Sequence, residues 1–266
     1  MKITTVLFDL DGTLLPMDQD EFTKGYFGLL TKKMSAFGYD PGQLADAVWK
    51  GTAAMAGNDG AKSNKDVFWR KFAEILGARA LLDNPLFEEF YANEFNEAKA
   101  FCGFDPRAAQ TVKTLKERGL RVVLATNPIF PKVATESRIR WAGLQPEDFE
   151  LYTTYENSCH CKPNPAYYTD ILKVLDVQPS ECTMVGNDVA EDMIARTLGM
   201  KVFLLTDCLI NQKREDINQY PRGSFEQLML HIEMDSEKDG IPPADRDKKL
   251  PLPRDQNRFH MLHRGE

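Results

Sequence analysis

Two aspartates directly follow the first apolar segment of the chain. Residues 3–8 have the apolar character of a buried strand, and Asp9-Leu10-Asp11-Gly12-Thr13 comes next. Residues two apart in an extended chain point the same way, and Gly12 permits the tight turn that leaves the strand. Two neighbouring carboxylates can bind a divalent cation, or divide the roles of nucleophile and acid/base. An acidic turn is the purely structural alternative. An EF-hand is disfavoured because the third acidic ligand and the glutamate at position twelve are missing.

Two later segments carry groups that can bind a phosphate. Thr126 and Asn127 close the second predicted strand and offer a hydroxyl and an amide to a phosphate oxygen. Lys162 follows the third strand, and the prolines at 163 and 165 restrict the backbone beside it. A positioned ammonium neutralises a phosphate as a point charge. Turn capping and an exposed loop lysine are the structural alternatives.

A fourth segment presents acidic groups after the fourth predicted strand. Gly186 permits a turn, and Asp188 and Asp192 follow it. Aspartate at a helix start is a normal cap, so each residue also has a structural explanation. Together with the first two aspartates they predict an oxygen-ligand site for a hard cation such as Mg²⁺.

The elements that must position these groups predict an α/β fold. Five short apolar segments are predicted as parallel strands, at residues 3–8, 121–125, 150–153, 182–185 and 201–205. Helices are predicted between them, at residues 106–118, 131–142, 165–175 and 189–198. Repeated β-α-β units form a doubly wound parallel sheet whose ligands bind at the carboxyl ends of the strands. A strand order of 3-2-1-4-5 brings Asp9, Asp11 and Asp188 together, flanked by Thr126 and Lys162.

The connection between the first two predicted strands is much longer than a crossover needs. Its apolar residues form helical stripes, which predicts a helical cap over residues 16–101. The Rossmann-like core would then comprise residues 1–15 and 102–234. Residues 235–266 carry four prolines, mixed charges and little periodicity, and we expect a tail that is disordered or wraps over the domain.

Composition restricts the partners and the compartment. The 266 residues carry a formal net charge of −7, which disfavours binding to a nucleic acid polymer or an anionic membrane. No apolar run reaches the roughly 20 residues of a membrane span, and the start of the chain lacks the continuous apolar core of a secretory signal. The five cysteines lack framework spacing, and Cys159-His160-Cys161 lacks a second zinc-ligand pair. We therefore expect a cytoplasmic protein with free thiols.

The four segments, in this order, resemble the four motifs of the haloacid dehalogenase superfamily. The matching residues are Asp9–Asp11–Thr13, Thr126, Lys162 and the loop of residues 186–192, so the resemblance spans about residues 1–205. It implies a Rossmann-like core with a helical cap inserted after the first strand. Asn187 stands where the last motif often has aspartate, and both Asp188 and Asp192 are candidate metal ligands.

The resemblance also implies a reaction. Asp9 would attack phosphorus and form an aspartyl-phosphate, while Asp11 would protonate the leaving oxygen and later activate water. Mg²⁺ would be held by Asp9, the Asp11 carbonyl and Asp188 or Asp192. Thr126, Asn127 and Lys162 would bind the phosphoryl oxygens.

The predicted function is a Mg²⁺-dependent phosphatase acting on a small phosphorylated metabolite or nucleotide, as a monomer or homodimer. A phosphomutase shares the whole core and differs in excluding water. A dehalogenase does not need Asp11, and a non-enzymatic binding module would not need all these positions filled. The sequence does not indicate the substrate. Lys24, Lys32, Lys33, Lys50 and Arg70 could meet an acidic one, although a solvated helix face also accounts for them.

Overall fold

The computed structural model describes residues 2–238, and a five-stranded parallel sheet lies at the centre of the fold. The strands are β1 (Thr5–Phe8), β2 (Arg121–Leu124), β3 (Cys182–Gly186), β4 (Lys201–Leu205) and β5 (Arg222–Gly223), in the order β2-β1-β3-β4-β5. The first and third strands are therefore neighbours, with Phe8 beside Val185. The predicted doubly wound sheet is confirmed.

The segment predicted as the third strand, residues 150–153, is not a full strand. It lies parallel to β2 through one bridge, between Leu124 and Tyr152. Backbone hydrogen bonds from Glu150 N to Val122 O and from Leu124 N to Leu151 O, both 2.9 Å, hold it there. Its predicted place beside the second strand is correct, and β5 at the opposite edge was not predicted.

Nine α-helices occur within the described residues. They are α1 (Gln19–Ser35), α2 (Pro41–Ala56), α3 (Asn64–Leu76), α4 (Arg79–Leu82), α5 (Asn84–Ala92), α6 (Pro106–Glu117), α7 (Lys132–Trp141), α8 (Pro165–Leu175) and α9 (Phe225–Lys238). The first five, followed by a 3₁₀ helix (Glu94–Phe101), occupy the long connection between β1 and β2. We call residues 16–101 the helical insert.

Helix starts in the insert follow from capping side chains. The Asp18 carboxylate accepts the amides of residues 20 and 21 at the start of α1, and the Ser63 hydroxyl accepts the Asp66 amide in α3. In α2, Asp40 caps the first turn and Pro41 occupies the first position, where its missing N–H costs nothing. These polar caps separate the apolar stripes into distinct helices.

Two hydrophobic clusters cover the two faces of the sheet. Val6 and Phe8 of β1 contribute to one cluster, and Leu7 between them contributes to the other. Successive side chains of a strand point to opposite faces, so the nearly continuous apolar character of β1 reflects burial on both sides. The helical insert packs on the cluster containing Phe8, and α8 packs on the cluster containing Leu7.

Two predicted segments differ from the structure by more than one or two residues. The helix predicted at residues 189–198 is a shorter 3₁₀ helix, Met193–Leu198, preceded by a turn that the Asp188 carboxylate organises. Near the other end, α9 continues to Lys238, so the segment predicted as a tail begins in this helix. Its remainder, residues 239–266, lies outside the described residues.

Candidate active site

A cavity of about 450 Å³ opens at the carboxyl ends of β1, β2 and β3. Six of the seven predicted site residues line it: Asp9, Asp11, Thr126, Asn127, Asp188 and Asp192. Residues 9 and 188 are far apart in sequence, and the pairing of β1 with β3 places them at one edge of the sheet. The structure thus brings the predicted groups together.

The seventh residue, Lys162, lies behind this cavity and joins two of the carboxylates. Its side chain is fully buried, and its Nζ donates to Asp9 Oδ1 at 2.8 Å and to Asp192 Oδ1 at 2.7 Å. Burial alone would lower the pKa of Lys162, but Asp192 and Asp9 together hold it well above its usual value. Lys162 therefore stays charged and partly neutralises the acidic site.

Asp188 and Asp192 have different surroundings. Asp188 lines the cavity and its Oδ1 accepts the amides of Ala190 and Glu191, at 2.7 and 3.0 Å. Asp192 is buried with both oxygens engaged, because its Oδ2 accepts the Asp188 amide at 3.0 Å and its Oδ1 accepts from Lys162. Burial raises the pKa of Asp192 to about 6 although Lys162 opposes the shift. Asp188 thus has the freer carboxylate.

Asn187 ties the loops after β1 and β3 together. Its Oδ1 accepts from Thr13 Oγ1 at 2.8 Å, and its Nδ2 donates to the carbonyl of Cys208 at 2.7 Å. A Cβ at position 12 would collide with the Asn187 side chain, and Gly12 also has φ +84°. Glycine at position 12 therefore serves both the turn and the close approach of the two loops.

Thr126 and Asn127 stand at the end of the second strand, as predicted. The Thr126 carbonyl accepts from Thr153 Oγ1 at 2.6 Å and from Tyr167 Oη at 2.8 Å, which fixes the backbone there. Asn127 Nδ2 donates to both carboxylate oxygens of Glu191, at 3.1 and 3.0 Å. Burial raises the pKa of Glu191 to about 8. Asn127 Oδ1 is buried without a partner in the described part of the chain.

Arg138 is a site residue that the sequence interpretation missed. It belongs to α7, is fully buried, and donates from Nη1 to Asp11 Oδ2. Its guanidinium lies 4.4 Å from the Phe130 ring centroid. Burial raises the pKa of Asp11 and Arg138 lowers it, with the net direction upward. The available signal was spacing, since Arg138 stands four residues after Ala134 and three before Trp141, on the buried face of the helix.

The oxygen donors around Asp9 fit Mg²⁺. The second carboxylate oxygens of Asp9 and Asp188 accept no hydrogen bond from the residues that the structure describes. The Asp11 carbonyl accepts a long bond of 3.4 Å from Gln19 Nε2. No group of three or more His, Cys, Asp or Glu within residues 2–238 could hold a metal by itself. Mg²⁺ usually takes one or two carboxylates and keeps several waters, which agrees with this sparse donor set.

The side chains of Cys159, His160 and Cys161 are buried thiols and a hydrogen-bonded imidazole. Both cysteines are buried free thiols, and the His160 ring shares a hydrogen bond of 2.7 Å between Nδ1 and Asp170 Oδ2. Burial raises the pKa of Cys159 to about 11 and that of Cys161 to about 12. Absence of zinc from this segment stays a prediction.

Comparison with known families decides the class of the protein. A family model described as haloacid dehalogenase-like hydrolase matches residues 3–196. The chain belongs to this family. The matched residues include all seven predicted site positions, and the haloacid dehalogenase-like assignment makes the chain a hydrolase.

Several named proteins resemble this haloacid dehalogenase-like chain. Ribulose-1,5-bisphosphate 5-phosphatase of Halopiger xanaduensis is 24% identical over 76% of this chain and 84% of its own length. Phosphoglycolate phosphatase of Vibrio vulnificus is 25% identical over 77% of this chain and 84% of its own. SUPPRESSOR OF QUENCHING 1, a chloroplastic protein of Arabidopsis thaliana, is 24% identical over 75% of this chain, which spans only 17% of that protein.

Solved structures share the fold at lower identity. A 2-haloacid dehalogenase from Pseudomonas syringae superposes with a TM-score of 0.57 and 19% identity, covering 87% of this chain and 98% of the other. A phosphatase from Thermococcus onnurineus gives a TM-score of 0.52 and 20% identity, covering 88% and 98%. Because a dehalogenase and a phosphatase both match, the fold alone does not determine the reaction.

None of the described helices is long and apolar enough to cross a membrane.

Proposed function

We propose that this protein is a Mg²⁺-dependent phosphatase that hydrolyses phosphate monoesters through an aspartyl-phosphate on Asp9. One observation carries the proposal. Asp9, Asp11, Thr126, Asn127 and Asp188 line one cavity at the end of the sheet, and buried Lys162 contacts Asp9 from behind. A nucleophile, an acid/base and phosphate-binding groups are thereby assembled in one place.

Asp9 is the nucleophile in this scheme. One Asp9 oxygen is held by Lys162, and the other attacks phosphorus as the bond to the leaving oxygen breaks. Asp11 gives a proton to the leaving alcohol, then takes one from the water that attacks phosphorus and frees Asp9 and inorganic phosphate. Arg138 positions Asp11 by a direct hydrogen bond.

The other groups bind the phosphoryl oxygens. Lys162 supplies a positive charge that it shares with Asp9 and Asp192, and Thr126 and Asn127, which line the cavity, supply a hydroxyl and an amide. Asp9, the Asp11 carbonyl and Asp188 would hold Mg²⁺, which supplies positive charge that offsets repulsion between a carboxylate and a phosphate. Asp192, with both oxygens engaged, is proposed to position Lys162 rather than bind the metal.

A dehalogenase and a phosphomutase are the alternative activities for this fold. Two of the relatives, from Halopiger xanaduensis and Vibrio vulnificus, are named phosphatases, which supports hydrolysis of phosphate esters here. Attack on a halogenated carbon requires no partner in the position of Asp11. In this chain Asp11 lines the cavity and is held by Arg138, which disfavours a dehalogenase. No observation specifically favours a phosphomutase.

The test is phosphate release from esters such as p-nitrophenyl phosphate, measured with Mg²⁺ and with excess EDTA. We expect hydrolysis that requires the metal and is abolished in Asp9→Asn. Protein recovered after an acid quench should carry covalent phosphate only when Asp9 is present. Asp46→Asn is the matched control, because Asp46 is half exposed on α2 and pairs only with Lys50 among the described residues. Full rates in EDTA, or in Asp9→Asn, would refute the mechanism.

We also propose that the enzyme acts in the cytoplasm, as a monomer or homodimer, on a small substrate. The acidic net charge of −7 and the five free cysteines support this setting. The helical insert is proposed to act as a cap, since its aromatic side chains line the same cavity as the carboxylates.

A further inference from the structure

The helical insert lines one part of the cavity, which we call the wall, and most of its lining residues there are aromatic. Phe27 and Trp49 stack at a centroid distance of 5.3 Å, and Phe68 and Phe72 stack at the same distance. All four belong to the helical insert and line the cavity. A substrate held by its phosphate at the sheet edge would place its leaving group against these rings.

The polar ends of the aromatic residues are paired with one another. The hydroxyls of Tyr26 and Tyr91 share a hydrogen bond of 2.8 Å, and Trp69 Nε1 donates to Tyr155 Oη at 3.4 Å. Burial raises the pKa of Tyr26 to about 12, so it is neutral at physiological pH. The wall therefore offers ring surface more than free hydrogen-bonding groups.

No cationic side chain of the described residues lines the cavity to pair with an acidic leaving group. Within the described chain, no lysine, arginine or histidine lines it, whereas five aspartates and glutamates do. The basic residues of the insert lie elsewhere, as Lys33 pairs with Glu89 and Glu94 and Lys50 pairs with Asp46. An anionic leaving group would lose water without gaining a cationic side chain as partner, and the carboxylates would repel it.

We infer that the substrate is a phosphate monoester whose leaving group is uncharged and carries an apolar aromatic body. This inference rests on the proposed phosphatase function and narrows its substrate class. A volume of about 450 Å³ is within the range of sites for drug-sized ligands. The named substrates of two relatives, phosphoglycolate and ribulose bisphosphate, instead have leaving groups that carry a carboxylate or a second phosphate.

Three esters of primary alcohols test the inference on the unmodified protein. They are 3-phenylpropyl, propyl and 2-carboxyethyl phosphate, which differ in the apolar or charged end of the leaving group. Fully burying a side chain of Phe size contributes enough to change binding about 10- to 100-fold, so kcat/KM for the phenylpropyl ester should exceed that for the propyl ester by this factor. The carboxyethyl ester should be at least about tenfold worse than the propyl ester, because a carboxylate is buried without a cation.

Equal values for the phenylpropyl and propyl esters, or a preference for the carboxyethyl ester, would overturn the inference while leaving the phosphatase intact. If no ester is hydrolysed, the proposed function fails. The preference of the cavity for an uncharged aromatic group is then tested by ligand binding. Trp49 and Trp69 line it, so 3-phenylpropanol should quench tryptophan fluorescence saturably and 3-hydroxypropionate should not. Absence of saturable quenching would then refute the inference as well.

A charge placed in the wall gives a second test. Thr52 of α2 lines the cavity, and the next residue, Ala53, is exposed and does not. Thr52→Arg should raise kcat/KM for the carboxyethyl ester relative to the propyl ester about tenfold, because the guanidinium can pair with the carboxylate. The matched control Ala53→Arg should leave that ratio unchanged. An equal change in both variants would show that the cavity does not contact the leaving group.

Discussion

Asp9 and Asp11 lie two residues apart, and different cations hold their side chains. Asp9 accepts from Lys162, a residue of the loop before α8, whereas Asp11 accepts from Arg138 of α7. Asp11 also keeps 19% of its side chain exposed. Two adjacent carboxylates therefore occupy distinct environments, as a division between nucleophile and acid/base requires.

The role of Asp11 can be tested by the choice of ester. Asp11→Asn should lose first-step rate on an alkyl phosphate by about 10²–10⁴-fold, because the alkoxide must be protonated as it leaves. On p-nitrophenyl phosphate the loss should be smaller, since nitrophenolate departs unaided. Single-turnover rates measure both. Equal losses on the two esters would show that Asp11 does not protonate the leaving group.

The contact between Arg138 and Asp11 predicts a stability effect. Arg138→Met leaves the Asp11 carboxylate without its cation, and breaking a buried ion pair costs roughly 3–5 kcal/mol. We expect the free energy of unfolding, from urea titration, to fall by about 3 kcal/mol. Adding Asp11→Asn removes the unpaired charge, so the double variant should be more stable than Arg138→Met alone. Losses that simply add would mean that the two side chains do not interact.

Helices and strands whose bounds depend on local sequence pattern could be predicted from the sequence. Residues 165–175 were predicted as a helix that begins at Pro165, and α8 has these bounds. The end of the second strand was also predictable, and with it the location of Thr126. The segment at 150–153 forms only a bridge because pairing depends on its neighbour β2 as well as on apolar character. The spacing of Arg138 from Ala134 and Trp141 indicates the buried face of α7, but the pairing of Arg138 with Asp11 depends on tertiary packing and was missed.

Phe95 is a fully buried ring of the helical insert that packs on the core. Phe95 stacks on Trp141 of α7 at 5.2 Å and meets Phe22 of α1 edge-on at 6.5 Å. Phe95→Ala should lower the free energy of unfolding by about 3–5 kcal/mol, from lost burial and a residual cavity. Leu82→Ala is the control, because Leu82 is 80% exposed and its loss should cost under about 0.5 kcal/mol. Comparable losses in the two urea titrations would contradict the packing role of Phe95.

Metal binding should raise the free energy of unfolding of the whole protein. A ligand at 100 times its Kd stabilises the folded state by about 2.7 kcal/mol, which corresponds to a Tm increase of several degrees for a chain of this size. Saturating Mg²⁺ should produce that increase in the unmodified protein. In Asp188→Ala the apparent Mg²⁺ affinity, from a titration followed by Tm, should fall more than in Asp192→Ala, because Asp192 already engages Lys162 and the Asp188 amide. The reverse order would reassign the metal ligand.

The cavity takes its polar floor and its aromatic wall from different stretches of the chain. The carboxylates and Asn127 stand on strand ends, whereas most of the rings come from residues 16–101. Mutations in the helical insert can therefore alter the leaving group that fits without touching a residue that handles the phosphoryl group. Substrate preference can therefore evolve through substitutions in residues 16–101 while selection preserves the residues that carry out the reaction.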